Sequence, residues 1–124
     1  MIYIDNDVIN LTRGDDATLT ASLTNDDDSE YVMSNDEYLI FGVRVTPEES
    51  SELLLELRSD PGSNIISFSH DDTAGMEVGF YSAELQLMVD GGKRATVWPK
   101  LKGGSRTGKA NWKNFCLMAE VVME

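Results

Sequence analysis

The sequence is poor in the residues that carry most protein chemistry. A single cysteine among 124 residues, Cys116, excludes an intramolecular disulfide and a Cys-rich zinc site. A single histidine, His70, removes most His-based metal sites and catalytic relays. No apolar run reaches about 18 residues, the length a membrane-spanning helix needs, so no membrane partner is expected. Met1-Ile2-Tyr3-Ile4-Asp5 lacks a basic n-region and meets an acid at once, which does not read as a secretory signal. Basic residues are scarce: 10 Lys and Arg face 22 Asp and Glu, a formal charge of −12. A chain this acidic repels nucleic acid at long range, and a nucleic-acid partner is not expected.

What is present suffices for one domain over residues 1–124. Hydrophobic residues make up 41 % of the chain, and a domain of this size buries roughly two-thirds of its unfolded surface. The charge is unevenly placed. Residues 1–92 hold three basic residues (Arg13, Arg44, Arg58) and 20 acids, while residues 93–124 hold seven basic residues and two acids, Glu120 and Glu124. No acid occurs from Lys93 to Lys113. Such a split can be no more than a solvated surface. It can also let the basic segment of one copy meet the acidic body of another, a heterologous contact that builds rings or filaments.

The dominant hydrophobic period is two. Ala17–Thr24 alternates Ala17, Leu19, Ala21 and Leu23 with Thr and Ser. Tyr38–Val45 puts Leu39, Phe41, Val43 and Val45 on one side. Phe80–Val89 puts Tyr81, Ala83, Leu85, Leu87 and Val89 on one face, with Ser82, Glu84, Gln86 and Met88 on the other. Arg94–Val97 follows a hairpin turn at Asp90-Gly91-Gly92, and Phe115–Val122 carries Phe115, Leu117, Ala119 and Val121 on a common face. Ile2–Ile4, Val8–Leu11, Leu53–Arg58 and Ile65–Ser69 read as shorter strands. Turns fall at Arg13–Asp16, Asn25–Glu30 and Asp60–Asn64. Helix is confined to single turns, at Asp72–Met76 with Asp72 or Thr73 as cap, and at Pro47–Ser51 behind Thr46. Many short strands between regular turns predict an all-β sandwich or barrel. Residues 100–114 hold three glycines and little apolar besides Trp112, and are expected to form a long exposed basic loop before the last strand.

Motifs that would carry chemistry are incomplete. Arg13-Gly14-Asp15 reads as a turn between strands. Ser69-His70-Asp71 has triad residue types, but neighbours on a strand point to opposite faces and cannot form a relay. Asp5-Asn6-Asp7, Asp26-Asp27-Asp28 and Asp71-Asp72 lack the alternating ligands of a calcium loop. Gly103–Lys109 is followed by Ala110, where a phosphate loop needs Ser or Thr. No catalytic residue, metal or cofactor is therefore expected. The candidate partner-binding set is Lys93, Arg94, Lys100, Lys102, Arg106, Lys109, Trp112 and Lys113. Trp98 and Trp112 are alternative sugar platforms. Cys116 alternates with Phe115 and Leu117 and is placed on the second face of its strand.

Three stretches, Ile9–Asp16 with Thr18-Leu19-Thr20, Asp71–Met76 with Gly79–Leu87, and Asp90–Val97, carry a family resemblance. The sequence resembles small phage and prophage proteins related to the N-terminal immunoglobulin-like domain of baseplate upper proteins. That family typically begins with LTRGD and carries xDTxxLxxGxYxYDIxL before a glycine hairpin and a TV strand. Here Ala83-Glu84 replaces the family's second Tyr and its Asp. The resemblance spans about residues 9–99 and implies an immunoglobulin-like antiparallel β-sandwich. Within it Gly14 makes the tight turn, Met76 plugs one end, Gly79 lets the chain re-enter a strand, and Tyr81 starts that strand with its hydroxyl bonded to backbone. By analogy it implies a non-enzymatic virion component made in the bacterial cytoplasm. Its partners would be other virion proteins or copies of itself, met through a sheet edge or the basic loop. The alternative from another class is an acidic inhibitor that mimics DNA before a host defence enzyme, with Asp15, Asp16, Asp26, Asp27, Asp28, Asp36 and Glu37 standing in for phosphates.

Overall fold

Alternation at period two lines up one apolar row per strand, and pairing of the strands joins those rows into faces. The computed structural model describes residues 2–5, 8–25, 27, 29–46, 51–89, 92–98 and 113–119, with the side chains of 2–5 and 93–95 set aside. The elements are β1 (Ile2–Asp5), β2 (Val8–Thr12), β3 (Ala17–Thr20), β4 (Glu37–Arg44), β5 (Leu53–Arg58), β6 (Ile65–Phe68), α1 (His70–Ala74), β7 (Gly79–Val89), β8 (Gly92–Trp98) and β9 (Phe115–Met118). The larger sheet runs β1-β2-β9-β7-β4-β5, with β8 also paired to β7. β3 and β6 form a second, two-stranded sheet. All pairs are antiparallel except β2 with β9, which is parallel.

The two sheets pack face to face as an all-β sandwich. Ile9, Leu11, Leu39, Phe41, Val43, Leu85, Leu87, Phe115 and Leu117 of the larger sheet are buried together with Ile66 and Phe68 of the smaller one. The Phe68 ring meets Phe41 edge-on at 5.6 Å and stacks on Phe115 at 6.5 Å. Each large side chain so buried stabilises the fold by about 1.5–3 kcal/mol, so this aromatic trio clamps the layers. Leu55 and Leu57 extend the core to the β5 edge.

Several expectations change in detail. Ladder pairing of β3 stops at Thr20, although Ala21 and Leu23 still pack on the core, and Thr24 forms an isolated bridge with Glu30. Val45 is 48 % exposed, because it lies past the end of β4 and past a register shift at Val43/Arg44. Ser82 and Met88 are buried, although they belong to the expected polar row of β7. β7 is central, with β4 on one edge and β8 and β9 on the other. β9 ends at Met118 and Ala119 is exposed, while Val121 lies outside the described residues. The helix begins earlier than the turn residues imply, at His70 behind Ser69. The Asp72 carboxylate reaches back to the Ser69 N–H at 2.7 Å, the return arm of a capping box. Asp72 and Thr73 are therefore inside the helix and do not cap it. Pro47–Ser50 and the Asp90-Gly91 pair lie outside the described residues.

The α1 turn locks onto the β2–β3 turn. Gly14, at φ 82°, donates its N–H to the buried Thr73 hydroxyl at 2.8 Å, and its carbonyl accepts from His70 Nδ1 at 2.6 Å. The Asp16 carboxylate accepts from the His70 N–H at 2.7 Å. The Arg13-Gly14-Asp15 triplet is thus a pinned structural turn, and His70 sits exposed at a helix start. Met76 packs against the core at this end of the sandwich. Gly79, at φ 147°, opens β7 in a conformation that L side chains rarely adopt.

Candidate functional site

The informative feature lies along one edge of β7. β9 pairs with Gly79, Phe80 and Tyr81, while β8 pairs from Leu85 to Val89. The two strands lie end to end beside the same neighbour, as two halves of one strand line. Ala83 falls in the gap between them, and Asn114 fills it. The buried Asn114 side chain accepts from the Ala83 N–H through Oδ1 at 2.6 Å and donates Nδ2–H to the Ala83 carbonyl at 2.9 Å. Its own backbone N–H donates to Tyr81 O, and its carbonyl accepts from Ile9 N–H. A primary amide offers a C=O acceptor and an N–H donor side by side, as a peptide does. Asn114 therefore continues the ladder as a splint where β9 has stopped.

This geometry fixes the residues that flank the basic segment. On one side of the basic segment Trp98 lies opposite Leu85, and on the other Asn114 continues the β9 register opposite Ser82. Three residues along a strand are about 10 Å, so the two flanking residues lie close together. The segment carries Lys100, Lys102, Arg106, Lys109 and Lys113 without an acid. The sequence places it between the last two strands, and the described residues that flank it, Trp98 and Asn114, lie along one strand line. Lys100, Lys102, Arg106, Lys109 and Trp112 lie outside the described residues. Lys93 and Arg94 belong to β8, with side chains that are not described, and Lys113 is exposed. Trp98 is partly buried and packed on the core, so its ring serves the sandwich before it can serve a sugar.

Several of the described acids are tied into hydrogen bonds. Glu37 is 3 % exposed and accepts from the Tyr31 hydroxyl at 2.6 Å and the Ser34 N–H at 2.9 Å. It cannot stand in for a surface phosphate, which corrects its place among the mimic candidates. Sequence alternation could not show this, because the burial comes from the 31–34 segment folding over the start of β4. Asp36 bonds Ser34, and Asp16 bonds the α1 start. Asp27 is fully exposed at the tip of the 25–29 turn, where the Ser29 hydroxyl and N–H hold its carboxyl below the usual range. Asp26 and Asp28 are outside the described residues, and Asp15 is exposed to an intermediate degree. Beside this turn lies an open cleft of about 470 Å³ lined by Leu23, Tyr31, Val32, Met33 and Asn64.

No protein-family model, curated protein or solved structure matches the chain.

Two ionisable groups near the splint are tuned by burial. Desolvation pushes the Tyr81 phenol above its ordinary value, with the negative charge of Glu77 adding to it. The Tyr81 hydroxyl donates to the Glu77 carbonyl and ties the start of β7 to the turn before it. Desolvation likewise raises the Cys116 thiol, which lowers its thiolate fraction and its reactivity at neutral pH. Among the described residues no three His, Cys, Asp or Glu side chains gather as metal ligands.

Proposed function

We propose that this chain is a non-enzymatic structural protein of a phage virion, part of a tail, a baseplate or a head accessory, that acts by protein–protein assembly. The observation that carries the reading is the splinted strand line: β8 and β9, which flank a run of one charge sign in the sequence, lie end to end on a body of the opposite sign. A basic run between two such strands suits docking onto an acidic neighbour. The family resemblance around Arg13–Asp16 and Asp71–Leu87 supplies the virion context. The fold is proposed to be immunoglobulin-like. The parallel β2–β9 pair, the β9-β7-β4-β5 order, and the Tyr81 hydroxyl tied back to Glu77 support that topology.

The test has two arms. Light scattering at low and high salt should show complexes that weaken as salt rises, because contacts between exposed charges are screened. Replacing Lys100, Lys102, Arg106 and Lys109 with Gln should abolish the salt-sensitive part. Particles produced with the chain present should contain it after purification. Salt-independent behaviour of the Gln variant and wild type alike, with no chain in particles, would sink the reading.

A further inference from the structure

β5 is the last strand of the larger sheet, and its outer edge carries the information for pairing. The Ser59 N–H donates to Leu39 O at 2.9 Å, so Leu55, Leu57 and Ser59 turn their peptide groups toward β4. Leu54, Glu56 and Arg58 turn theirs outward. Among the described residues nothing bonds the outward peptide groups of Glu56 and Arg58. An open edge of this kind is a template for another strand, and proteins commonly blunt it with proline, lysine or a cover. β5, Leu-Leu-Leu-Glu-Leu-Arg, has no proline and no lysine. Its register shift lies opposite Arg44, away from Glu56 and Arg58.

We propose that β5 pairs antiparallel with β5 of a second copy about a two-fold axis at Leu57. This rests on the assembly reading for its purpose and names one partner for it. With Leu57 opposite Leu57, Glu56 faces the other copy's Arg58 and Arg58 faces its Glu56. Both are outward-bonding positions, so the peptide groups of each Glu56–Arg58 pair exchange two hydrogen bonds, four in all. Both side chains are exposed and share one face of the sheet, where Arg58 lies 3.7 Å from its own Glu56 and over the Tyr38 ring. The charge order is self-complementary in this register. A two-fold at Glu56 instead sets Glu56 against Glu56, and like charges directly opposite are destabilising. The contact is isologous and closes at two copies.

The experiment is sedimentation equilibrium on the full chain at 0.15 M salt, where a Debye length of about 8 Å limits repulsion between the two acidic bodies. Wild type should reach twice its 13.7 kDa mass. E56R and R58E should each raise the dimer dissociation constant about tenfold or more, and the double swap E56R/R58E should restore it. E56P should stay folded, because its lost N–H points away from β4, and should be monomeric. A wild type that stays monomeric at millimolar concentration overturns the edge dimer. A wild-type oligomer indifferent to all four variants also overturns it, while leaving the assembly reading to its own salt and particle tests.

Discussion

Replacing Asn114 with alanine tests the splint directly. The change removes both amide atoms from Ala83 and leaves the backbone bonds of Asn114 to Ile9 and Tyr81 in place. Ala83 and Asn114 are 1 % and 3 % exposed, so the abandoned N–H and C=O face no bulk water. An unsatisfied buried group costs about 1–3 kcal/mol. Water entering the vacated space offsets part of that for two groups, leaving an expected loss of about 2–4 kcal/mol. That is a large share of the roughly 5–15 kcal/mol that holds a domain together. Urea denaturation should show a lower midpoint at unchanged slope. Asn114→Asp refines the test, because it keeps the acceptor and sets a second carboxylate oxygen against the Ala83 carbonyl. Only the protonated acid can donate there, so its folded pKa should rise above the unfolded value of about 3.9. Proton binding then favours the folded variant below about pH 4, and that stability is lost as pH rises through the folded value. A loss under about 0.5 kcal/mol for the alanine variant, or a pH-independent aspartate variant, would refute the splint.

Other consequences follow from the same geometry. The raised Cys116 and Tyr81 values mean that the folded state keeps its protons longer than the unfolded chain. Their stabilisation is present below the ordinary values of 9.0 and 10.0 and is lost as pH climbs through the folded ones. Thermal melts should fall above pH 9 and fall less in Cys116→Ser and Tyr81→Phe. Native Cys116 should react with a disulfide reagent at pH 8 more slowly than the same thiol in urea, and equal rates would contradict its desolvation. Glu37→Ala strips the acceptor from Tyr31 and Ser34 and should cost about 2–4 kcal/mol in urea, with Glu37→Gln recovering part of it. Gly14→Ala must place a Cβ at φ 82° and should cost about 1–2 kcal/mol by the same assay.

Local pattern made much of this chain legible. The rows Leu39-Phe41-Val43 and Ala83-Leu85-Leu87 are buried as period two requires, because alternation on a strand is a property of neighbouring residues alone. The turn at Arg13–Asp16 is readable from its residues as well, whereas the strand that the resemblance starts at Tyr81 begins two residues earlier, at Gly79. Burial at element ends was not readable. Val45 keeps the parity of Val43, yet a register shift and the end of pairing turn it out. Glu37 reads as one more surface acid until Tyr31 and Ser34 close over it.

The sequence by itself determined an all-β chain, the identity of its strands, and a basic segment set against an acidic remainder. Each depends on residue order and composition, which act locally or sum over the chain. Tertiary structure alone decided that β8 and β9 are halves of one strand line, that Asn114 completes the ladder at Ala83, and that β5 is left as an open edge among the described residues. Those outcomes depend on which distant strands pair, and at what register. Hydrogen bonds between peptide groups set that choice, and those groups are the same in every residue except proline.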